Sequence, residues 1–260
     1  MTIQGVLALI ALSTMTETQG QEQFERPPLV RQIGIDFKNV FTTKENLVTL
    51  GVGLGAAWGA GHFDQEIAGS GLNSELNELI GGTAVDGVFE AGQYLGGSLA
   101  QVGGAFATYG LGKAFEREGV ENLGRDLVRA QVVTQSLTLG VKLMVGRERP
   151  DGSNQASFPS GHASGTFATA TVLQRHYGWK VGVPAYAVAG YVATSRLNEG
   201  KHYLSDVVFG AAVGILAGRT VTLEIRNARF AVSPTLPPGG VGIQMTWVGS
   251  NDDARQGRSR

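Results

Sequence analysis

Three short segments of the chain carry residues that suit the binding and attack of a phosphate-like anion. The last segment contains Arg196, His202 and Asp206. Because His202 and Asp206 are four residues apart, they would share one face of a helix, where the carboxylate can hold Nδ1–H of the imidazole and leave Nε2 free as a nucleophile. The guanidinium of Arg196 can bind two oxygens of such an anion. The segment therefore predicts a nucleophilic histidine beside an anion site.

The second segment predicts a helix start that binds anions. It reads Phe158-Pro159-Ser160-Gly161-His162. The amide N–H groups of Ser160 and Gly161 and the hydroxyl of Ser160 would lie at a helix N-terminus, where unpaired donors and the helix dipole attract negative charge. His162 would then stand at the edge of the anion, where it can donate a proton to a leaving oxygen.

Two further cations come from the segment Lys142 to Pro150. Lys142 lies near the end of a predicted helix, and Arg149 follows Gly146, the predicted helix stop. Together with Arg196, these side chains would neutralise three equatorial oxygens of a phosphoryl group, a task that metal ions perform in many phosphoryl-transfer enzymes. We therefore expect chemistry that needs no metal and no cofactor.

Taken together, the three segments resemble the signature of the type-2 phosphatidic acid phosphatase superfamily, which includes bacterial acid phosphatases and the vanadium haloperoxidases. The resemblance covers Lys142 to Asp206, about a quarter of the chain, and every position of the signature is present. It implies an all-α fold, a compact helical bundle. It also implies that His202 is the nucleophile, that Asp206 orients it, and that His162 is the acid for the leaving group and later the base for water. The phosphate-binding residues that it implies are Lys142, Arg149, Ser160, Gly161 and Arg196.

The function that this resemblance implies is a metal-independent phosphatase acting through a phosphohistidine. Its substrate would be a phosphate monoester or diphosphate: a lipid phosphate, an isoprenoid diphosphate or a small soluble ester. Two alternatives stay open at this stage. One is a vanadate-dependent haloperoxidase, the only case in which a cofactor, vanadate, is expected. The other is an inactive envelope protein that merely binds phosphate.

Composition narrows the other function classes. The net charge of -1 gives no global positive field for nucleic acid, so no nucleic-acid partner is expected. The chain has no cysteine, which excludes thiolate chemistry and disulfides, and its four histidines disfavour a histidine-rich metal site. Oligomeric state is left open by the sequence.

The N-terminus predicts export. An apolar run, Val6 to Leu12, precedes a polar stretch and is typical of a secretory signal. The best candidate for a membrane span, Ala91 to Gly112, is diluted by seven glycines, and the mean hydropathy of the chain is only +0.01. We therefore expect a soluble enzyme, periplasmic or secreted, with a peripheral membrane contact left open.

Five segments follow from these patterns. They are a signal peptide (1–20), a linker with an N-terminal segment (21–40), the helical phosphatase domain (41–225), a β-hairpin (226–248) and a disordered polar tail (249–260). Within the helical domain, a capping-box pattern at Thr42 and Glu45 predicts a helix start. Apolar periodicity predicts further helices over 74–80, 88–112, 124–145, 163–176, 184–196 and 202–219.

Overall fold

A computed structural model describes residues 27–69, 82–222, 229–235 and 242–248 of the chain. The predicted signal peptide, the predicted helix over 74–80 and the predicted polar tail lie outside these described residues. The described helices are α1 (Leu29–Thr42), α2 (Lys44–Gly61), α3 (Asp64–Gly69), α4 (Gly82–Gly96), α5 (Ser98–Ala114), α6 (Glu118–Val145), α7 (Gly161–Tyr177), α8 (Trp179–Asn198) and α9 (Leu204–Val221). Two strands, β1 (Arg229–Thr235) and β2 (Gly242–Val248), pair antiparallel, with Arg229 opposite Val248.

The prediction of an all-α bundle is confirmed, and α7 lies at its centre. This helix packs against α6, α8 and α9. The approach of α9 to α7 is close, because a Cβ added at Gly210 would lie 2.6 Å from the carbonyl oxygen of Ser160 and one at Gly214 would lie 2.2 Å from that of Ser164. Glycines spaced by four residues on one helix face permit backbones to pack this tightly.

The alternation of helix direction brings five helix termini together. The C-terminal ends of α2, α6 and α8 meet the N-terminal ends of α7 and α9, as hydrogen bonds between the loops at these termini show. We call this the site end of the bundle. The other end, where α6 begins and α7 finishes, is called the opposite end.

Several helix boundaries differ from the prediction. The segment 88–112 is two helices, because Gly97 adopts an extended conformation and starts α5. Helix α8 begins at Trp179, so Pro184 lies inside it instead of in its first turn. The predicted capping box is wrong as well: the residue before α2 is Thr43, and its side chain makes no capping hydrogen bond.

Helix α1 occupies part of the segment predicted as a linker. Its Asp36 is buried and accepts two hydrogen bonds from Arg129 of α6, of 2.7 and 2.8 Å. This bidentate pair fixes α1 to the bundle, so the described helical body includes residues N-terminal to position 41. The sequence does not reveal the contact, because the two partners are 93 positions apart.

Candidate active site

A cavity of about 620 Å³ opens at the site end and brings together three of the predicted site residues. Arg149, His162 and Arg196 line it, and so does Lys201. The rest of its wall comes from the junction of α4 and α5: Gln93, Tyr94, Gly97, Ser98, Leu99 and Ala100. The cavity therefore combines cationic side chains on one wall with a partly apolar lip on the other.

His202 lies beside this cavity, in the loop between α8 and α9. The prediction that it opens the last helix is wrong, because α9 begins at Leu204 with Tyr203 as the capping residue. The imidazole is buried, and its Nδ1 lies 3.5 Å from Oδ2 of Asp206. Burial lowers the pKa of His202 below its ordinary value of 6.5, against the opposing effect of Asp206. The lowered pKa favours the neutral form of the imidazole.

Asp206 is fully buried in the first turn of α9. Its Oδ2 accepts hydrogen bonds from the hydroxyl of Ser157 and, at 2.8 Å, from the backbone N–H of Tyr203. Its Oδ1 accepts from Arg147 at 2.8 Å. These three donors hold the carboxylate plane and direct Oδ2 to the His202 side, the arrangement expected of an orienting carboxylate.

The N-terminus of α7 lies at the same point, with one difference from the prediction. Ser160 is buried and caps the helix, its Oγ accepting the N–H of Ala163 at 3.4 Å. Its own N–H donates to the carbonyl oxygen of Asp206 at 2.9 Å, so this amide is not available to a ligand. The first amides of the helix proper, beginning at Gly161, are the ones that a helix start leaves without intrahelical partners.

His162 follows directly in the first turn of α7. Its imidazole is hydrogen-bonded to the backbone of Gln93, and it lies within electrostatic range of Arg149, Arg196 and His202. Gly96 leaves room for the ring, since a Cβ at that position would be 2.9 Å from Cδ2 of His162. Helix α4 therefore packs directly behind the predicted general acid.

Two of the predicted cations, Arg149 and Arg196, line the cavity, and the third, Lys142, interacts with His202 beside it. Arg196 is buried and paired with Glu199, while Nε of Arg149 donates to Oδ1 of Asn154 at 2.9 Å. Lys142 donates to the carbonyl oxygens of Ala156 and Ser157, and it interacts electrostatically with His202. Among the residues that the structure describes, no three side chains of the types that bind metals lie close enough to hold an ion.

Sequence reasoning missed the role of Arg147. Lying in the gap between Lys142 and Arg149, it hydrogen-bonds both Asp206 and the buried Asp64 of α3. Only 28% of its side chain is exposed. Asp64 is 83 positions away in the chain, so no local spacing links the two residues.

Comparison with known proteins places this site in a family. Residues 126–230 match the model of the PAP2 superfamily. Over 80 residues the chain is 45% identical to a lipid A 1-phosphatase of Porphyromonas gingivalis, covering 30% of this chain and 18% of that protein. Over 140 residues it is 26% identical to a lipid A 4'-phosphatase of Helicobacter pylori, covering 47% of this chain and 71% of that protein. The match to the first relative is therefore confined to a small part of its length.

The fold also resembles that of a solved membrane protein. A transmembrane PAP2-type phosphatidylglycerolphosphate phosphatase from Bacillus subtilis matches with a TM-score of 0.52 and 22% identity, over 74% of this chain and 92% of that one. The expectation of a soluble periplasmic or secreted enzyme is therefore wrong, because the helical body has the fold of a transmembrane phosphatase. The physical reason for the error is that glycine and alanine, which pack these helices together, dilute the hydropathy signal.

The family prediction made from the three segments is confirmed. The matched region, residues 126–230, includes every residue of those segments, from Lys142 to Asp206. The structure places Arg149, His162 and Arg196 of these segments around one cavity, and it pairs His202 with Asp206. Residues 126–230 of this chain accordingly match the PAP2 superfamily.

Proposed function

We propose that this chain is a membrane-embedded phosphoric ester hydrolase that removes phosphate from a lipid through a phosphohistidine on His202. The observation that carries the proposal is the meeting of two imidazoles and several cations at one cavity, with His202 backed by the buried carboxylate of Asp206. Since the relatives named above are lipid A phosphatases, a phosphorylated lipid is the substrate class that they support.

The cations and the start of α7 would bind the phosphoryl group. Arg149 and Arg196 face the cavity, and Lys142 lies within electrostatic range of His202. Their charges would offset those of the phosphoryl oxygens, which carry most of the charge in the transition state of phosphoryl transfer. The amide of Gly161 adds a donor at the positive end of the helix dipole.

The first chemical step is attack by Nε2 of neutral His202 on phosphorus. The P–N bond forms as the ester P–O bond breaks, and the leaving oxygen takes a proton from His162. Asp206 stabilises the positive charge that develops on the His202 ring, through Nδ1–H. The product of this step is an alcohol and a phosphohistidine.

The second step hydrolyses the phosphohistidine. Neutral His162 takes a proton from a water molecule, whose oxygen bonds to phosphorus while the P–N bond breaks. Inorganic phosphate leaves, His202 is again neutral, and His162 is protonated for the next turnover. One imidazole thus alternates as acid and base, and the other carries the phosphoryl group.

The outer faces of the helices support a location in the membrane. The 18 residues from Asn46 to Phe63 contain no Asp, Glu, Lys or Arg, and neither do the 22 residues from Ala91 to Gly112. Large apolar side chains are exposed on these helices and on α8. Members of this exposed set are Val48, Val52, Trp58, Leu99, Phe106, Leu111 and Val183. An exposed apolar surface of this extent is typical of contact with lipid or protein.

Hydropathy alone marks a single described helix as a span. Helix α9 passes by length and composition, and 67% of the tested window is buried within the bundle. The lipid-facing surface must therefore be supplied by the other helices, whose glycines lower the mean hydropathy without adding charge. Tyr94 and Leu99, exposed at the lip of the cavity, would contact the hydrocarbon part of a lipid substrate.

A phosphate-release assay tests this proposal. The full chain would be purified in detergent and offered a phosphorylated glycolipid, phosphatidate, an isoprenyl diphosphate and a soluble nitrophenyl phosphate, with His202→Ala as control. We expect release from at least one lipid in mixed micelles, a trapped phosphoenzyme in acid-quenched wild type, and neither signal in the variant. The proposal is overturned if no lipid phosphate is hydrolysed or if His202→Ala keeps the activity. Release of the protein from membranes by alkaline carbonate would exclude the embedded location.

A further inference from the structure

Arg147 connects the start of α9 to the start of α3 at the site end. One guanidinium nitrogen, Nη1, donates to Oδ1 of Asp206 at 2.8 Å and to Oγ of Ser205 at 2.7 Å, and the other, Nη2, donates to Oδ2 of Asp64 at 2.9 Å. The guanidinium also stacks over the ring of Tyr203, 4.0 Å from its centroid. The two terminal nitrogens of the Arg147 guanidinium therefore bind two different buried carboxylates, and the Tyr203 ring fixes the plane of the guanidinium.

Asp64 binds both Arg147 and the start of α9. It is 4% exposed, and its Oδ1 accepts the backbone N–H of Ser205 at 2.9 Å. Its Oδ2 accepts the hydroxyl of Ser205 at 2.6 Å in addition to Arg147. The start of α9, which carries Asp206, is thereby held to the corner between α2 and α3.

The orienting carboxylate needs such support on its far side. Asp206 is fully buried, and a buried carboxylate oxygen without a donor is costly. Arg147 satisfies Oδ1 and so fixes the rotation of the carboxylate that directs Oδ2 to Nδ1 of His202. An arginine alone would also weaken the pull of Asp206 on the His202 imidazolium, and the negative charge of Asp64 offsets that effect.

We propose that Arg147 and Asp64 form a positioning pair that fixes Asp206 for His202 and balances its charge, an inference that rests on the proposed phosphohistidine mechanism. Neither residue touches the substrate cavity lined by Arg149, His162 and Arg196. Their contribution is therefore to the rate of phosphoryl transfer and not to the binding of substrate. Loss of positioning by about 1 Å reduces rates by roughly 100-fold in other enzymes.

The two members of the pair should change the titration of His202 in opposite directions. The charged or titratable groups that face His202 are Asp206 of α9, His162 of α7, Lys142 of α6 and Arg149 of the following loop. Arg147→Gln leaves Asp206 with its full charge, which favours the imidazolium, so the pKa of His202 rises. Asp64→Asn leaves Arg147 unbalanced, so the pKa falls. A merely structural role would give the same direction in both variants or no change.

The experiment compares Arg147→Gln, Arg147→Lys, Asp64→Asn and the double variant Arg147→Gln/Asp64→Asn in the full-length protein in detergent. Arg129→Gln is the matched control, because it breaks another buried arginine pair far from the site, with Asp36. We expect kcat to fall roughly 10- to 100-fold in both single variants while KM stays within about threefold. Arg147→Lys should restore part of kcat, and Arg129→Gln should lower thermal stability without changing kcat.

The pH dependence of kcat/KM gives the second readout. Its acid limb should move up by about half a pH unit or more in Arg147→Gln and down in Asp64→Asn, and return towards wild type in the double variant. Because the substrate is the same throughout, its own titration cannot produce opposite shifts. The proposed positioning pair is overturned if the acid limb moves in the same direction in both single variants. It is also overturned if both variants keep wild-type kcat, or if only KM changes.

Histidine NMR separates failure of this inference from failure of the proposed function. The imidazole of His202, assigned with His202→Asn, would be titrated in wild type and in both single variants. Opposite displacements support the positioning pair even if no substrate of the panel is hydrolysed. Identical titrations overturn it even if wild type is an active phosphatase.

Discussion

An arginine shared between two aspartates, one of them beside a histidine, occurs at both ends of this bundle. At the opposite end, Arg129 binds Asp36 through two hydrogen bonds of 2.7 and 2.8 Å and Asp126 through one of 2.9 Å. Asp126 in turn lies 2.9 Å from Nε2 of His176. These four contacts have ordinary hydrogen-bond lengths, and the cluster joins α1, α6 and α7.

At the site end the same residue types are arranged less tightly around the histidine. Arg147 gives one nitrogen to each carboxylate, and Nδ1 of His202 is 3.5 Å from Asp206, longer than an ordinary hydrogen bond. Cations, not carboxylates, face the rest of the imidazole. Catalytic hydrogen bonds are often long in free enzymes and shorten when substrate binds.

Under the proposed function, the opposite end holds a stabilising cluster and the site end holds one arranged for reaction. Where all donors and acceptors are paired at short distance, removing one partner costs folding free energy. Where a histidine is held neutral beside cations and one carboxylate, removing a partner costs rate. Changes at the opposite end should therefore alter stability alone, whereas changes at the site end should also alter turnover.

The largest effect on kcat is expected from replacing His202, compared with replacing His176 at the opposite end. His202→Ala removes the proposed nucleophile, so kcat should fall by about 10⁴-fold or more, as it does when other enzymes lose theirs. His176→Ala removes one partly buried hydrogen bond at the opposite end and should leave kcat within about twofold of wild type while lowering Tm. Phosphate release and thermal unfolding in detergent measure both. A comparable loss of kcat in the two variants would remove the distinction between the ends.

A smaller effect, dependent on substrate, is expected for His162. If this imidazole protonates the leaving oxygen, His162→Ala should slow the hydrolysis of an alkyl or lipid phosphate by roughly 10²- to 10⁴-fold. A nitrophenyl ester, whose leaving group needs little protonation, should lose much less. The ratio of the two losses is the measurement, and equal losses would contradict the assignment of His162 as the general acid.

Three residues of the cavity, Arg149, His162 and Arg196, were predictable from sequence because each lies next to a helix terminus that the sequence marks. Gly146 ends α6 in a left-handed conformation, and Ser160 caps α7, so Arg149 and His162 follow from local signals. Arg196 comes from the last turn of α8. Such termini converge whenever adjacent helices run antiparallel, which is why the spacing sufficed.

The remainder depends on contacts that no local pattern encodes. Asp64 and Arg147 meet only after α2, α3 and α6 have packed, and the same holds for Asp36 and Arg129. The membrane fold was missed for a related reason. Glycines such as Gly210 and Gly214 serve the close packing of α9 on α7, yet in a hydropathy average they count only as weakly apolar residues.

Replacing either of two tightly packed glycines, Gly96 or Gly124, should have smaller effects that also differ between kcat and stability. A Cβ at Gly96 would lie 2.4 Å from Cγ1 of Val192 and 2.9 Å from Cδ2 of His162, whereas one at Gly124 would lie 2.2 Å from the backbone nitrogen of Tyr109. Gly96→Ala should displace His162 and lower kcat about tenfold on lipid phosphates. Gly124→Ala should cost about 1 to 3 kcal/mol of stability with little change in kcat.

Gly104→Ala is the matched control for this pair, since a Cβ there meets no atom within 4 Å. It should change neither kcat nor the unfolding temperature appreciably. Unchanged turnover in Gly96→Ala, measured beside this control, would mean that α4 does not hold His162 in place.

The smallest expected effect is a displacement of the acid limb of the pH profile of kcat/KM. Burial lowers the pKa of His202 below 6.5, so the imidazole stays neutral and able to attack at pH values where an exposed histidine would be protonated. Since kcat/KM reports the ionisation of the free enzyme, its acid limb should lie below pH 6.5, and His176→Ala should leave that limb where it is. An acid limb above pH 6.5 for a substrate of constant charge, such as a phosphodiester analogue, would mean that the carboxylate outweighs burial.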